Sequence, residues 1–139
     1  MLRLSTKTRY ALRTMIELAR HEGEGMIALK MVAQAQELSP KYLEQLAISL
    51  RHAGLVLAER GSQGGYMLAK PPEEITALEI VQAVDGPLQL VSCVNRPASC
   101  HRSAGCAAHG LWSRLTNSIG HTLSTTTLAE LRQEQGAGL

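Results

Sequence analysis

All three cysteines of this chain, Cys93, Cys100 and Cys106, fall within fourteen residues, and His109 stands three positions after the last. Thiolate and imidazole are soft to borderline ligands that suit zinc or an iron–sulfur centre. The intervening text, Val94-Asn-Arg-Pro-Ala-Ser-Cys-His-Arg-Ser-Ala-Gly105, is short of large apolar side chains. Such a segment buries little by itself, so a ligand tying it together would contribute to its fold. Cysteines are commonly small core residues, but a polar loop rich in Ser, Ala and Arg is a poor place for a core. An odd cysteine count argues against a disulfide framework, and the N-terminus, Met1-Leu-Arg-Leu-Ser-Thr-Lys7, has no apolar stretch of signal length. No run approaches a membrane span, so the expected compartment is the cytoplasm, with no membrane partner.

The elements that must position this segment are mostly helical. There is no Phe, one Trp and three Tyr, which leaves Leu, Ala, Val, Ile and Met to build the core. Ser5 or Thr6 caps a first helix carrying Leu12, Met15, Ile16 and Ala19 at helical spacing, and His21-Glu-Gly-Glu-Gly25 breaks it. A second helix is expected over residues 29–36, followed by a tight connection through Glu37 and Leu38. Ser39 as N-cap and Pro40 at the first helical position open a third helix, lined by Leu43, Leu46, Ala47 and Leu50 and stopped at Gly54. The period then changes: residues 55–60 and 66–69 flank Gly61-Ser-Gln-Gly-Gly65 as a β-hairpin with a glycine-rich tip. Thr76 with Glu79 forms a capping box for a helix ending near Val84, before Asp85-Gly86-Pro87. After the cysteines a long helix from about Ala107 carries Leu111, Trp112, Leu115 and Ile119. A short last helix begins at Thr127, with Glu130 again in capping-box register, and residues 134–138 are expected to fray.

Two short helices, a capped third helix and a hairpin, in that order, describe a winged helix-turn-helix. The fold class is therefore mainly α with a small β-hairpin, a DNA-binding region over 1–72, and a second region over 73–139. That second region holds a connecting helix, a cysteine loop at 88–109 and a long C-terminal helix. A helix fits the major groove and reads bases from its exposed face near its N-terminus, while a glycine-rich wing lets backbone approach phosphates. The candidate DNA-binding residues are Ser39, Lys41, Tyr42, Glu44, Gln45 and Arg51 on the third helix, and Arg60, Gly61 and Gly64 at the wing. Gln45 can pair with adenine, and Glu44 can accept from cytosine N4. Taken singly, these polar residues are equally a solvated helix face, and the glycines an ordinary tight turn. Residues 1–70 carry ten Lys/Arg against six Asp/Glu, and residues 71–139 four against six, so the basic half coincides with the proposed reading head.

Several motifs together resemble the Rrf-type winged-helix transcription regulators, in particular their iron–sulfur cluster regulators of the IscR type. These are Leu4-Ser-Thr-Lys-Thr-Arg-Tyr-Ala-Leu12, Leu38-Ser-Pro-Lys-Tyr-Leu-Glu-Gln-Leu46, Arg60-Gly-Ser-Gln-Gly-Gly-Tyr66, Ile80-Val-Gln-Ala-Val-Asp85, the three cysteines, His109-Gly-Leu-Trp112 and Thr127-Leu-Ala-Glu-Leu131. The resemblance implies a homodimer joined through the long helix, and promoter DNA read by the third helix and the wing. It also implies an iron–sulfur cluster held by Cys93, Cys100 and Cys106. In the IscR type the fourth ligand is a histidine at the place of His109. In the NsrR type it is an aspartate near the partner's N-terminus, where this chain has Arg9, a side chain that cannot ligate iron in the ordinary way. The resemblance thus points to a [2Fe–2S] cluster, with His101 as a rival fourth ligand, and to cluster-donor proteins as further partners. It departs from the family pattern at Glu37, where a glycine is usual, and in the six residues between Cys93 and Cys100.

The expected function is a cluster-sensing transcriptional regulator, a repressor. Two alternatives remain open. A structural zinc site would give a constitutive DNA-binding protein, since zinc has no redox chemistry. An iron–sulfur carrier would use its basic helices to dock a protein. No nucleophile–base pairing or phosphate loop assigns catalytic roles, so an enzyme is not expected.

Overall fold

Ser5 starts the fold by accepting a hydrogen bond from the Thr8 N–H at 3.0 Å, so Ser5 rather than Thr6 caps the first helix. The computed structural model describes residues 3–137, with side chains to Glu134. Helix α1 spans Thr6–Arg20, α2 Leu29–Gln36 and α3 Pro40–His52. Ser39 accepts from the Tyr42 N–H at the start of α3, with Pro40 at its first position. The hairpin follows as strands β1, Val56–Glu59, and β2, Gly65–Leu68, paired antiparallel with Ala58 opposite Tyr66. Helix α4 spans Ala77–Asp85, capped by Thr76, whose oxygen accepts from the Glu79 N–H at 3.2 Å. The short α5, Ser92–Asn95, leads to the long α6, Ala107–Thr125, and α7, Leu128–Ala137, closes the chain. Helix α7 thus continues through most of the segment expected to fray; Gly138 lies outside the described residues.

Hydrophobic burial explains how α3 is seated. Leu43, Leu46, Ala47 and Leu50 are at most 4% exposed, and the three leucines share a core cluster with Ala11, Met15 and Leu18 of α1 and Val32 and Ala33 of α2. Each such large side chain contributes about 1.5–3 kcal/mol on leaving water. The cluster also contains Ile75, Ile80 and Leu128, so residues from both halves of the chain complete one core. A bridge between Thr76 and Thr127 and the bond from the Leu128 N–H to the Ile75 carbonyl, 2.8 Å, bring α7 to that place.

Two backbone details were beyond the expected elements. Ile27 pairs with Tyr66 through reciprocal bonds of 2.9 and 2.8 Å, which makes β2 the middle of three extended segments. Glu37, between α2 and α3, has φ 55° and ψ 46°, the left-handed conformation that glycine adopts without penalty.

Candidate nucleic-acid interface and metal-ligand segment

An exposed polar face forms on α3 because its apolar residues recur on one side and leave the other to solvent. Lys41, Glu44, Gln45 and Arg51 are all exposed, as is Ser39 at the cap. Tyr42 differs from expectation. It is half-buried against the core, with its ring edge-on to Tyr10 at a centroid distance of 5.7 Å, because α1 passes beneath the first turn of α3. At the wing, Arg60 and Gly61 are exposed, and Gly64 donates its N–H to the Gly61 carbonyl at 3.1 Å to close the tip. Glycine at the wing has a packing reason as well. A β-carbon on Gly64 would lie 2.2 Å from the Glu59 carbonyl oxygen, and one on Gly65 2.3 Å from the Ile27 carbonyl oxygen.

The cysteine segment is held mainly by local bonds. No residue from 86 to 115 is fully buried. Short turns at Pro97–Ser99 and Ser103–Gly105 fold it back, helped by Ser103 Oγ donating to the Pro97 carbonyl at 2.8 Å. Cys93 lies within α5 and is half-buried, Cys100 is half-buried, and Cys106 is exposed at the N-cap of α6. His109, in the first turn of α6, brings Nδ1 to 3.2 Å from Cys93 Sγ. The structure therefore joins one thiol and the imidazole across fifteen intervening residues. Among the described residues, no group of three or more His, Cys, Asp or Glu is arranged to hold a metal ion. His101 is exposed in the turn after Cys100. Arg9, exposed on α1, donates to Thr6 Oγ1 at 3.2 Å.

The chain matches the model of the Rrf2 family, "Iron-dependent Transcriptional regulator", over residues 4–134. It belongs to the Rrf2 family. Among its Rrf2 relatives, CymR of Bacillus subtilis (strain 168) is 42% identical over 130 residues, covering 94% of this chain and 89% of CymR. IscR of Photorhabdus laumondii is 39% identical over 134 residues, covering 96% of this chain and 81% of IscR. The solved structure of B. subtilis CymR, described as the global cysteine regulator of that organism, superposes with a TM-score of 0.79 at 43% identity, covering 96% and 98% of the two chains. That of T. potens IscR gives 0.79 at 36% identity, covering 96% and 88%. These relatives are transcriptional regulators rather than enzymes, and the winged-helix architecture is theirs. Among the described residues, no helix is long and apolar enough to cross a membrane.

Sequence reasoning missed two polar arrangements. Asp85 Oδ2 at the end of α4 accepts from both Ser5 Oγ and Thr8 Oγ1 at the start of α1. Buried Glu17 and Gln36 form a cluster with half-buried Arg13 beneath the turn before α3. Neither leaves a local sequence signal, since the partners are 77–80 and 19–23 residues apart.

Proposed function

We propose that this Rrf2 regulator is a cytoplasmic homodimeric repressor that binds promoter DNA and senses an iron–sulfur cluster held by Cys93, Cys100, Cys106 and His109. The observation that carries the reading is the close approach of His109 to Cys93 at the first turn of α6, within a segment that contains every thiol of the chain. Three thiols and one imidazole match the donor chemistry of a [2Fe–2S] centre, and the positive end of a 19-residue helix faces the same place. When bound, such a cluster supplies metal–sulfur bonds that respond to oxidant, iron supply or nitric oxide.

The remaining steps belong to the protein. Cys93, Cys100, Cys106 and His109 would hold the cluster, and residues 93–109 so gathered would fix the start of α6. Helix α6 exposes Leu111 (47%) and Trp112 (36%) and is the dimer element in this reading. A dimer reading successive major grooves holds its recognition helices about 34 Å apart. A change at the root of α6 shifts that spacing and weakens several contacts together. Ser39, Lys41, Glu44 and Gln45 face the bases. Arg51, Arg60, Gly61 and Gly64 meet backbone, and Tyr42 supports the helix from below. Residues 1–72 thus read DNA, and residues 73–139 sense and dimerise.

The similarity to CymR favours a second reading, a cluster-free regulator answering to cysteine supply. Anaerobic purification with iron, sulfide and zinc analysis and visible spectroscopy separates the readings. Iron, sulfide and oxidant-bleached absorbance are expected. A colourless zinc protein supports a structural site, and a colourless metal-free protein that still binds its own promoter supports the CymR-like reading.

A further inference from the structure

A polar cluster lies between α1 and α2, away from both the exposed α3 face and the cysteine segment. Glu17 on α1 is 5% exposed and Gln36, the last residue of α2, 8%. Gln36 Nε2 donates to Glu17 Oε2 at 2.8 Å, and Arg13 Nε donates to Gln36 Oε1 at 3.2 Å. Arginine can only donate and an ionised carboxylate can only accept, so the amide between them has one orientation. Arg13 Nη2 also donates to the Gln36 backbone carbonyl, an oxygen that the end of a helix leaves without an intrahelical partner. Arg20 and His21 face the Glu17 carboxylate at 3.6 and 3.4 Å.

The same arginine reaches the other side of the turn. Its guanidinium carbon lies 5.5 Å from the centroid of the Tyr10 ring, and Tyr10 meets Tyr42 edge-on at 90°. Tyr42 belongs to the first turn of α3, beside Lys41 and two residues before Glu44. One face of α1 therefore grips the end of α2 through Arg13 and Glu17, and the start of α3 through Tyr10.

We propose that Arg13, with Glu17 and Tyr10, is a positioning residue for promoter discrimination: it sets the angle at which α3 is presented without touching DNA. This rests on the reading of α3 as the base-contacting helix. A partly buried charged cluster is weak evidence for stability, because apolar residues of equal volume often stabilise as well or better. Its directional bonds instead select a single geometry. Hydrogen bonds to base edges weaken steeply with misalignment, so a small rotation about the turn degrades several contacts at once.

The test uses the full-length protein and an operator selected by the wild type from a random duplex library. Arg13→Lys keeps the charge but loses the planar fork. The ratio of operator to random-DNA affinity is expected to fall about tenfold, the size of one lost base contact, with random-DNA affinity little changed. Glu37→Gly, which relaxes the left-handed turn, is then combined with Arg13→Lys. Recovery of thermal stability without recovery of the ratio supports positioning. Recovery of both shows that Arg13 acts only through stability and overturns the proposal. An unchanged ratio in Arg13→Lys, where Gln45→Ala lowers it, overturns the proposal alone. An unchanged ratio in Gln45→Ala removes the α3 reading and this inference with it.

Discussion

Gly65→Ala should damage the wing far more than its one added methyl suggests. The new β-carbon would sit 2.3 Å from the Ile27 carbonyl oxygen and 2.6 Å from its carbon, both fixed backbone atoms. Relief requires the Ile27 strand to retreat from β2 by about 1 Å to reach ordinary van der Waals separation. That retreat breaks or lengthens the reciprocal Ile27–Tyr66 bonds of 2.9 and 2.8 Å. Two backbone hydrogen bonds are worth about 1 kcal/mol each. Placing a β-carbon at the positive φ of 146° costs roughly 1–2 kcal/mol more. The sum is about 3–4 kcal/mol, a large part of the stability of an ordinary domain. Urea unfolding at fixed protein concentration measures it, with exposed Gln63→Ala at the wing tip as the control expected to change little. A loss below about 1 kcal/mol for Gly65→Ala would mean that the strand pairing yields freely, and would refute this account of the wing.

Glu37→Gly removes a left-handed strain of about 1–2 kcal/mol, partly offset by the greater unfolded freedom of glycine, and should stabilise by about 0.5–1 kcal/mol; a lower melting temperature would contradict that. Gln45→Ala should lower operator affinity more than random-DNA affinity, whereas Arg60→Ala should weaken both and flatten the salt dependence, as titrations over a range of salt would reveal. In the cluster reading, Cys93→Ala, Cys100→Ala and Cys106→Ala each abolish visible absorbance under anaerobic purification, and His109→Ala changes the spectrum or the cluster lifetime. Full absorbance in all three cysteine variants would refute the ligand assignment.

The regular elements were legible because each carries a local signal. The Ser39-Pro40 start, the Thr76/Glu79 box and the glycine-flanked hairpin all form where residue chemistry places them. The three-strand character of the wing was not legible, since Ile27 meets Tyr66 across 38 residues that carry no mark of the pairing. Tyr42 was misplaced for a related reason: a tyrosine is amphipathic, and only the passage of α1 beneath it decides which end is buried. The cysteine segment shows the reverse case. Its donor chemistry is plain in the sequence, while its geometry depends on turns held by local bonds rather than by a buried core.

The seating of Leu128, fully buried in the shared core with α7 packed on α1, bears on how the chain is made. Synthesis delivers α1 to α3 first, yet α7 supplies a piece of the interior they share. The N-terminal half emerges with an open seam, and a message cut short before codon 128 leaves that core without Leu128. Closure of the winged-helix core is in this way tied to synthesis of α7.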